Sequence, residues 1–329
     1  MKAVRVHELS NRAGIKVDEI PDPTPKPGEV IVDVAAATIN YPDILMLDGK
    51  YQIRPDLPFI LGKDGTGTIS AVGEDVSGFA PGDRVLFYVH YGAFAEKVAV
   101  LVSNCFELPD DIPLDDAAAM GVAFQTVWAA LVDRAALQPG EVVLVTGASG
   151  GVGIAAVALA KALGAGPVLA GMTTLAKSDP VKAAGADHII DMSGDDLRDD
   201  VRDQVRQATG GRDVDVVIDV AGGDIFDACL RTLAFNGRIV VLGFMSGRIA
   251  DVKTNYLLLK NISVVGSSIN AIYARDNASV RRGQAEMARL YGEGKLAPHI
   301  FKHFPLDKIA EAIGVLEDRS VVGKVVLTV

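Results

Sequence analysis

Two cysteines in 329 residues, Cys105 and Cys229, leave this chain short of the parts for two common architectures. They lie far apart and no Cys-x-x-Cys occurs, so neither a disulfide framework nor a cysteine-built zinc site is expected. Histidine is scarce too. His7, His90, His188, His299 and His303 are scattered and do not supply the three or four N/S ligands of tetrahedral zinc. His299 and His303 flank Ile300 and Phe301 before a proline, which reads as a surface or packing role. Basic runs are missing as well. Acids outnumber bases 42 to 32, and no basic stripe is interleaved with aromatics, which argues against a nucleic-acid partner. The uncharged run from Val142 to Ala160 is broken by small turn formers around Gly150, which excludes a membrane span there. The start, MKAVRVHEL, alternates like a strand and lacks the apolar core of a signal peptide, so a reducing, cytoplasmic setting is expected.

What is present is glycine at telling positions. Val142 to Val145 form a β-branched apolar run, as for a strand covered on both faces. Gly147, Gly150, Gly151 and Gly153 follow, and from Ile154 the pattern turns helical. Such a turn lets the backbone approach a pyrophosphate, and the helix N-terminus offers unpaired N–H groups and a positive dipole end. The spacing Gly-x-x-Gly-Gly-x-Gly differs from the plain Gly-x-Gly-x-x-Gly, and the neighbouring segments carry much of the argument.

Those segments alternate. Strands are predicted at 167–171, 187–190, 214–220, 237–243 and 262–266, with helices at 179–185, 195–208 and 225–233 between them. With the first strand this makes a doubly wound, parallel, six-stranded sheet of the Rossmann kind, with ligands expected beyond the carboxyl ends of its strands. The first 116 residues have another texture. Pro and Gly punctuate short strands at 29–35, 67–72, 84–89 and 95–100, which reads as a β-barrel. Helical pattern runs from 115 to 136, again over 276–292 and 306–317, and a last strand is predicted at 324–329. A chain of this length suits two domains.

The chain resembles the medium-chain dehydrogenase/reductases, in their zinc-free quinone oxidoreductase branch. The likeness is carried by Ile39-Asn40-Tyr41-Pro42-Asp43, Gly62-x-x-Gly65-x-Gly67, Phe79-x-Pro81-Gly82-Asp83-Arg84-Val85, Gly92-Ala93-Phe94-Ala95-Glu96, the Gly147–Gly153 turn, Asp219-x-x-Gly222-Gly223 and Gly323-Lys324-Val325-Val326-Leu327. It implies an α/β protein with a chaperonin-10-like (GroES-like) barrel domain at 1–118, a Rossmann domain at 119–292 and a C-terminal return at 293–329. Zinc enzymes of the superfamily place a Cys and a Gly-His-Glu motif where this chain has Asn40, Lys63 and Asp64. A lysine there would repel the ion, so no metal is expected.

NADPH is the expected cofactor. The segment after the second parallel strand, Gly171 to Lys177, has no carboxylate for a ribose hydroxyl, but two hydroxyls and one ammonium that suit a 2′-phosphate. Lys177 also matches a phosphate-binding lysine of the quinone reductase pattern. The cofactor set from turn and resemblance is Thr126, Gly147, Ser149, Gly150, Gly151, Val152, Gly153, Thr173, Thr174, Lys177, Ala221, Gly222, Gly243, Phe244, Ser246, Ser267 and Lys324. Candidate catalytic residues are Asn40, to donate to a developing oxyanion, Asp43, to orient it or a water, and Tyr51. Tyr51 resembles the proton donor of related enoyl thioester reductases, although a phenol near pKa 10 is a weak acid and the residue can equally line a pocket. Asn40 and Asp43 can instead cap a helix over YPDILML. The expected activity is hydride transfer to a quinone or α,β-unsaturated carbonyl compound. Alternatives are a 2-enoyl thioester reductase and a non-enzymatic NADPH-binding structural or RNA-binding protein. A homodimer through the exposed sixth strand is expected from the family.

Overall fold

A computed structural model describes residues 1–329, which divide into two compact units. The first comprises Met1–Ala123, Gln284–Gly292 and Ile300–Val329; the second comprises Phe124–Gly283 and Glu293–His299.

The first unit is built on Glu29–Ile39, whose long alternating apolar pattern suits a strand paired on both edges. One edge takes the antiparallel strand Asp64–Val72. The other edge is shared, Lys97–Leu101 pairing with residues 29–33 and Lys324–Thr328 with residues 36–39. The sheet continues through Arg84–Tyr88 and Cys105–Glu107 on one side and through Ile300–Pro305, parallel to its neighbour, on the other. A second sheet of three strands pairs Ile15–Glu19, Lys2–Val6 and Phe59–Ile60. Valines from both sheets pack with Leu61, Phe87 and Phe94 into one core.

This pairing has a local consequence. The carboxyl end of Glu29–Ile39 meets the starts of Asp64–Val72 and Lys324–Thr328, because both neighbours run antiparallel to it. Asn40, Lys63, Asp64 and Lys324 therefore converge from distant parts of the sequence.

The second unit holds six parallel strands in the order His188–Asp191, Val168–Met172, Val143–Thr146, Val214–Asp219, Leu233–Val241, Ser263–Gly266. The order reverses beside Val143–Thr146, the switch point at which doubly wound sheets bind ligands. Val143, Leu144 and Val145 are wholly buried, as their apolar run requires.

Three expectations need correction. The helix predicted at 115–136 is broken into Leu114–Ala119, Val122–Trp128 and a π-helical stretch, Ala129–Arg134. Its first break falls at Gly121, where the Asp64 carboxylate accepts the Val122 N–H at 2.7 Å in place of a backbone carbonyl. The fifth parallel strand starts at Leu233, four residues early, and its first half carries the exposed Phe235. Finally, Thr254–Lys260, Ile269–Arg275 and Ile300–Pro305 are regular elements that the sequence periodicity does not predict. No helix is long and apolar enough to cross a membrane.

Candidate functional site

In the first unit the converging strand ends bury a polar cluster. Asp64 Oδ1 accepts from Thr38 Oγ1 and from Asn40 Nδ2, each at 2.8 Å, and its Oδ2 accepts from Val122 N. A Cβ on Gly121 would lie 2.3 Å from that Oδ2, so only glycine fits the helix break there. Asn40 Nδ2 also donates to Thr38 O at 3.1 Å, and Asn40 Oδ1 accepts from Lys324 Nζ at 2.7 Å. Lys324 donates further to Ile39 O at 3.2 Å. Burial lowers the pKa of this lysine, while Asp64 and Asp43 act against the shift.

Three sequence expectations change here. Asn40, expected to donate to a substrate oxyanion, has its amide hydrogens on Asp64 and Thr38. Lys324, expected at the cofactor, ends inside this network, its nitrogen on Ile39 O and Asn40 Oδ1. Asp43 takes the helix-capping alternative: its Oδ2 accepts the Asn40 N–H at 2.7 Å at the start of Tyr41–Leu47. Its Oδ1 is buried with no hydrogen-bond partner, and burial raises its pKa to about 7.

The position matched to a zinc-ligating histidine is Lys63. Its Nζ donates to His90 O at 2.9 Å and lies 4.9 Å from the centre of the Tyr51 ring and 5.8 Å from that of Tyr88. Desolvated cation–π contacts of this kind contribute on the order of 2 kcal/mol. Burial lowers the pKa of Lys63, with Asp43 and Asp64 opposing the shift, and burial also lowers His90. The Tyr88 hydroxyl pairs with His90 Nδ1 at 3.2 Å, and burial raises its pKa. Tyr51 is half-buried at the edge of the core, with its backbone N–H on Leu45 O at 3.1 Å. No group of three or more His, Cys, Asp or Glu side chains is placed to hold a metal ion. A zinc-type donor set does not fit here, because Lys63 brings a positive charge and the Asp64 oxygens are engaged.

The second unit gathers most of the remaining candidates along one edge of its sheet. Gly147 to Gly153 follow Val143–Thr146, and Thr173, Thr174 and Lys177 follow Val168–Met172. Ala221 and Gly222 follow Val214–Asp219; Gly243, Phe244 and Ser246 follow Leu233–Val241; and Ser267 follows Ser263–Gly266. Thr126 stands apart, on the helix Val122–Trp128. Gly147 has φ +59°, and a Cβ on Gly153 would meet Gly147 O at 2.2 Å, so the turn closes tightly onto the helix Gly151–Ala162. The cap residue of that helix, Gly150, has no side chain to accept the first N–H groups. These amides and the dipole end form a cradle suited to a phosphate.

Asp219 shapes the next loop. It accepts from Thr146 Oγ1 at 2.7 Å and from the N–H groups of Ala221 and Gly222, and it is buried, which raises its pKa. Ser246 N–H then closes onto Ala221 O at 2.9 Å, binding two of the cofactor candidates into one loop pair. Beyond the second strand, Thr173 and Thr174 are exposed and Lys177 is half-buried, its pKa lowered by burial. The Ser267 hydroxyl is buried without a protein partner. Sequence reasoning did not foresee Thr38, Thr146 or Val122 as members of these networks; nothing in their local sequence marks them.

Comparison with known proteins agrees with both halves. Residues 26–110 match the family model "Alcohol dehydrogenase GroES-like domain" and residues 151–281 match "Zinc-binding dehydrogenase". A quinone oxidoreductase-like protein 2 from Mus musculus is 37% identical over 92% of this chain and 85% of its own. The chain belongs to the medium-chain dehydrogenase/reductases, in their quinone oxidoreductase family. An acryloyl-coenzyme A reductase of Metallosphaera sedula is 35% identical, covering 100% of both chains. The solved Escherichia coli quinone oxidoreductase, complexed with NADPH, superposes with a TM-score of 0.89 at 27% identity over 100% of both chains.

Proposed function

We propose that this protein is an NADPH-dependent oxidoreductase that reduces a quinone or an α,β-unsaturated carbonyl compound without zinc. The observation that carries the reading is the uncapped glycine-turn helix beside a strand end that lacks a carboxylate. The likeness to the NADPH-bound Escherichia coli enzyme supports it. Gly147 to Gly153 would hold the pyrophosphate, with Ser149 and Val152 in the same turn, and Thr173, Thr174 and Lys177 would hold the 2′-phosphate. Thr126, Ala221, Gly222, Gly243, Phe244, Ser246 and the unpartnered hydroxyl of Ser267 would line the rest of the coenzyme.

The coenzyme, when bound, supplies a hydride. Delocalisation of the developing negative charge in a quinone or enone lowers the demand for a Lewis acid, which suits a site braced by Asn40, Asp64 and Lys324. Of the three catalytic candidates, Tyr51 is the one left for chemistry, delivering a proton to the reduced substrate. The same residue and the full-length likeness to acryloyl-coenzyme A reductase favour a second reading, an enoyl thioester reductase. We further propose a cytoplasmic homodimer. The edge strand Ser263–Gly266 and the exposed Phe235, Leu258 and Leu259 support it, these being 74%, 82% and 77% exposed in the single chain.

Loss of reduced-coenzyme absorbance with naphthoquinone, hexenal and crotonyl-CoA tests the activity and ranks its acceptors. Tight NADPH binding with no turnover of any acceptor would reject the enzyme reading.

A further inference from the structure

Lys63 is the cation of the buried cluster that lies over aromatic rings, and Asp43 and Asp64 favour its charged form. Asp64 is matched by Lys324 through the Asn40 amide, and Asp43 is held towards its neutral form by burial. Lys63, 1% exposed, has instead one carbonyl, His90 O, and two aromatic faces. Of these faces Tyr88 is the farther and is buried, its hydroxyl engaged with His90. Tyr51 is nearer and half-buried. A cation next to a phenol lowers the cost of forming the phenolate, and more so where water is excluded.

We propose that Lys63 is a positioning residue for Tyr51, fixing its ring and stabilising the phenolate left after Tyr51 gives up its proton. The inference rests on Tyr51 as the proton donor of the proposed reaction. Hydride adds to the β carbon of an enone and leaves an enolate. The α carbon then takes the proton of the Tyr51 hydroxyl, and water returns a proton to the phenolate. A hydroquinone anion, by contrast, collects its proton from water, so quinone reduction depends less on this pair.

The charged and titratable groups around Tyr51 come from several elements. Lys63, Asp64, Asp43, Tyr88 and His90 lie on the cluster side. On the loop itself Lys50 pairs with Asp48, and Arg54 Nε donates to Tyr51 O at 3.4 Å. The carboxyls oppose a phenolate, Lys324 donates to Asn40 and Ile39, and Lys63 is the cation over the ring.

The test is a titration of the Tyr51 ring by carbon-13 NMR, assigned with Tyr51→Phe, in the wild type, Lys63→Met and Lys63→Arg. In the wild type Tyr51 is expected to titrate at least one unit below the ordinary phenol value of about 10. Lys63→Met should raise that midpoint by a unit or more, and Lys63→Arg should keep it low. Turnover of hexenal should then fall about tenfold further in Lys63→Met than turnover of naphthoquinone. A wild-type midpoint at or above the ordinary value overturns the proposal and needs no variant to fold. An unmoved midpoint in Lys63→Met, or equal losses with both acceptors, overturns it as well. If Tyr51→Phe reduces hexenal as fast as the wild type, the donor reading fails, while the titration separately reports the coupling of the two side chains.

Discussion

Asp43 has a carboxyl oxygen with no hydrogen-bond partner in a fully buried position, which disfavours its charged form. Its folded pKa, about 7, lies above the ordinary aspartate value of about 3.9. A raised acid contributes stability below the unfolded pKa and loses it as pH rises through the folded one. Wild-type stability should therefore fall relative to Asp43→Asn between about pH 4 and pH 7, by up to about 4 kcal/mol. Denaturant unfolding of both proteins across that range checks this, and a constant gap would contradict it. Lys177→Ala should weaken NADPH binding about tenfold or more and leave NADH nearly unchanged, since a lysine–phosphate contact is worth roughly 1.5–3 kcal/mol. Calorimetry with both coenzymes decides it; equal losses would remove the phosphate role. The helix-capping role of Asp43 was legible because an Asn and an Asp frame the start of an apolar helical pattern. The Asp64 network was not legible. Its partners lie 26 and 58 residues away, and Lys324 reaches Asn40 across 284 residues.

At the scale of elements, the turn from Thr146 to Gly153 leaves no room for a side chain at Gly147 or Gly153. Gly153→Ala should open it, because the added methyl would stand 2.2 Å from a backbone oxygen that cannot move cheaply. Coenzyme affinity should drop at least about tenfold, with stability lower by roughly 1–3 kcal/mol, read by calorimetry and thermal unfolding. Unchanged affinity would mean that the turn does not carry the phosphates. Most parallel strands were readable because burial on both faces produces uninterrupted apolar runs. The elements that escaped are of a different kind. Thr254–Lys260 has no buried residue, so its helix leaves no amphipathic stripe, and Ile300–Pro305 alternates too weakly to stand out before it is paired. The break at Gly121 escaped as well, since a carboxylate from another strand interrupts a pattern that reads as one helix.

At the scale of the whole molecule, the proposed dimer would cover the exposed apolar side chains of Thr254–Lys260. Leu258→Asp combined with Leu259→Asp should give a monomer with unaltered secondary structure, because both side chains are exposed in the single chain. Sedimentation of the wild type and the double variant tests it; a wild type that sediments as a monomer would discard the dimer. Composition and periodicity determined the two-part α/β architecture and the glycine turn, because burial on two faces and a tight phosphate turn each constrain neighbours in sequence. The resemblance narrowed the family. Tertiary structure alone decided that Asn40 and Lys324 brace Asp64 and that Lys63 lies by the ring of Tyr51. Hydrogen bonds and charge contacts depend on which strand ends meet, and local sequence does not encode that meeting.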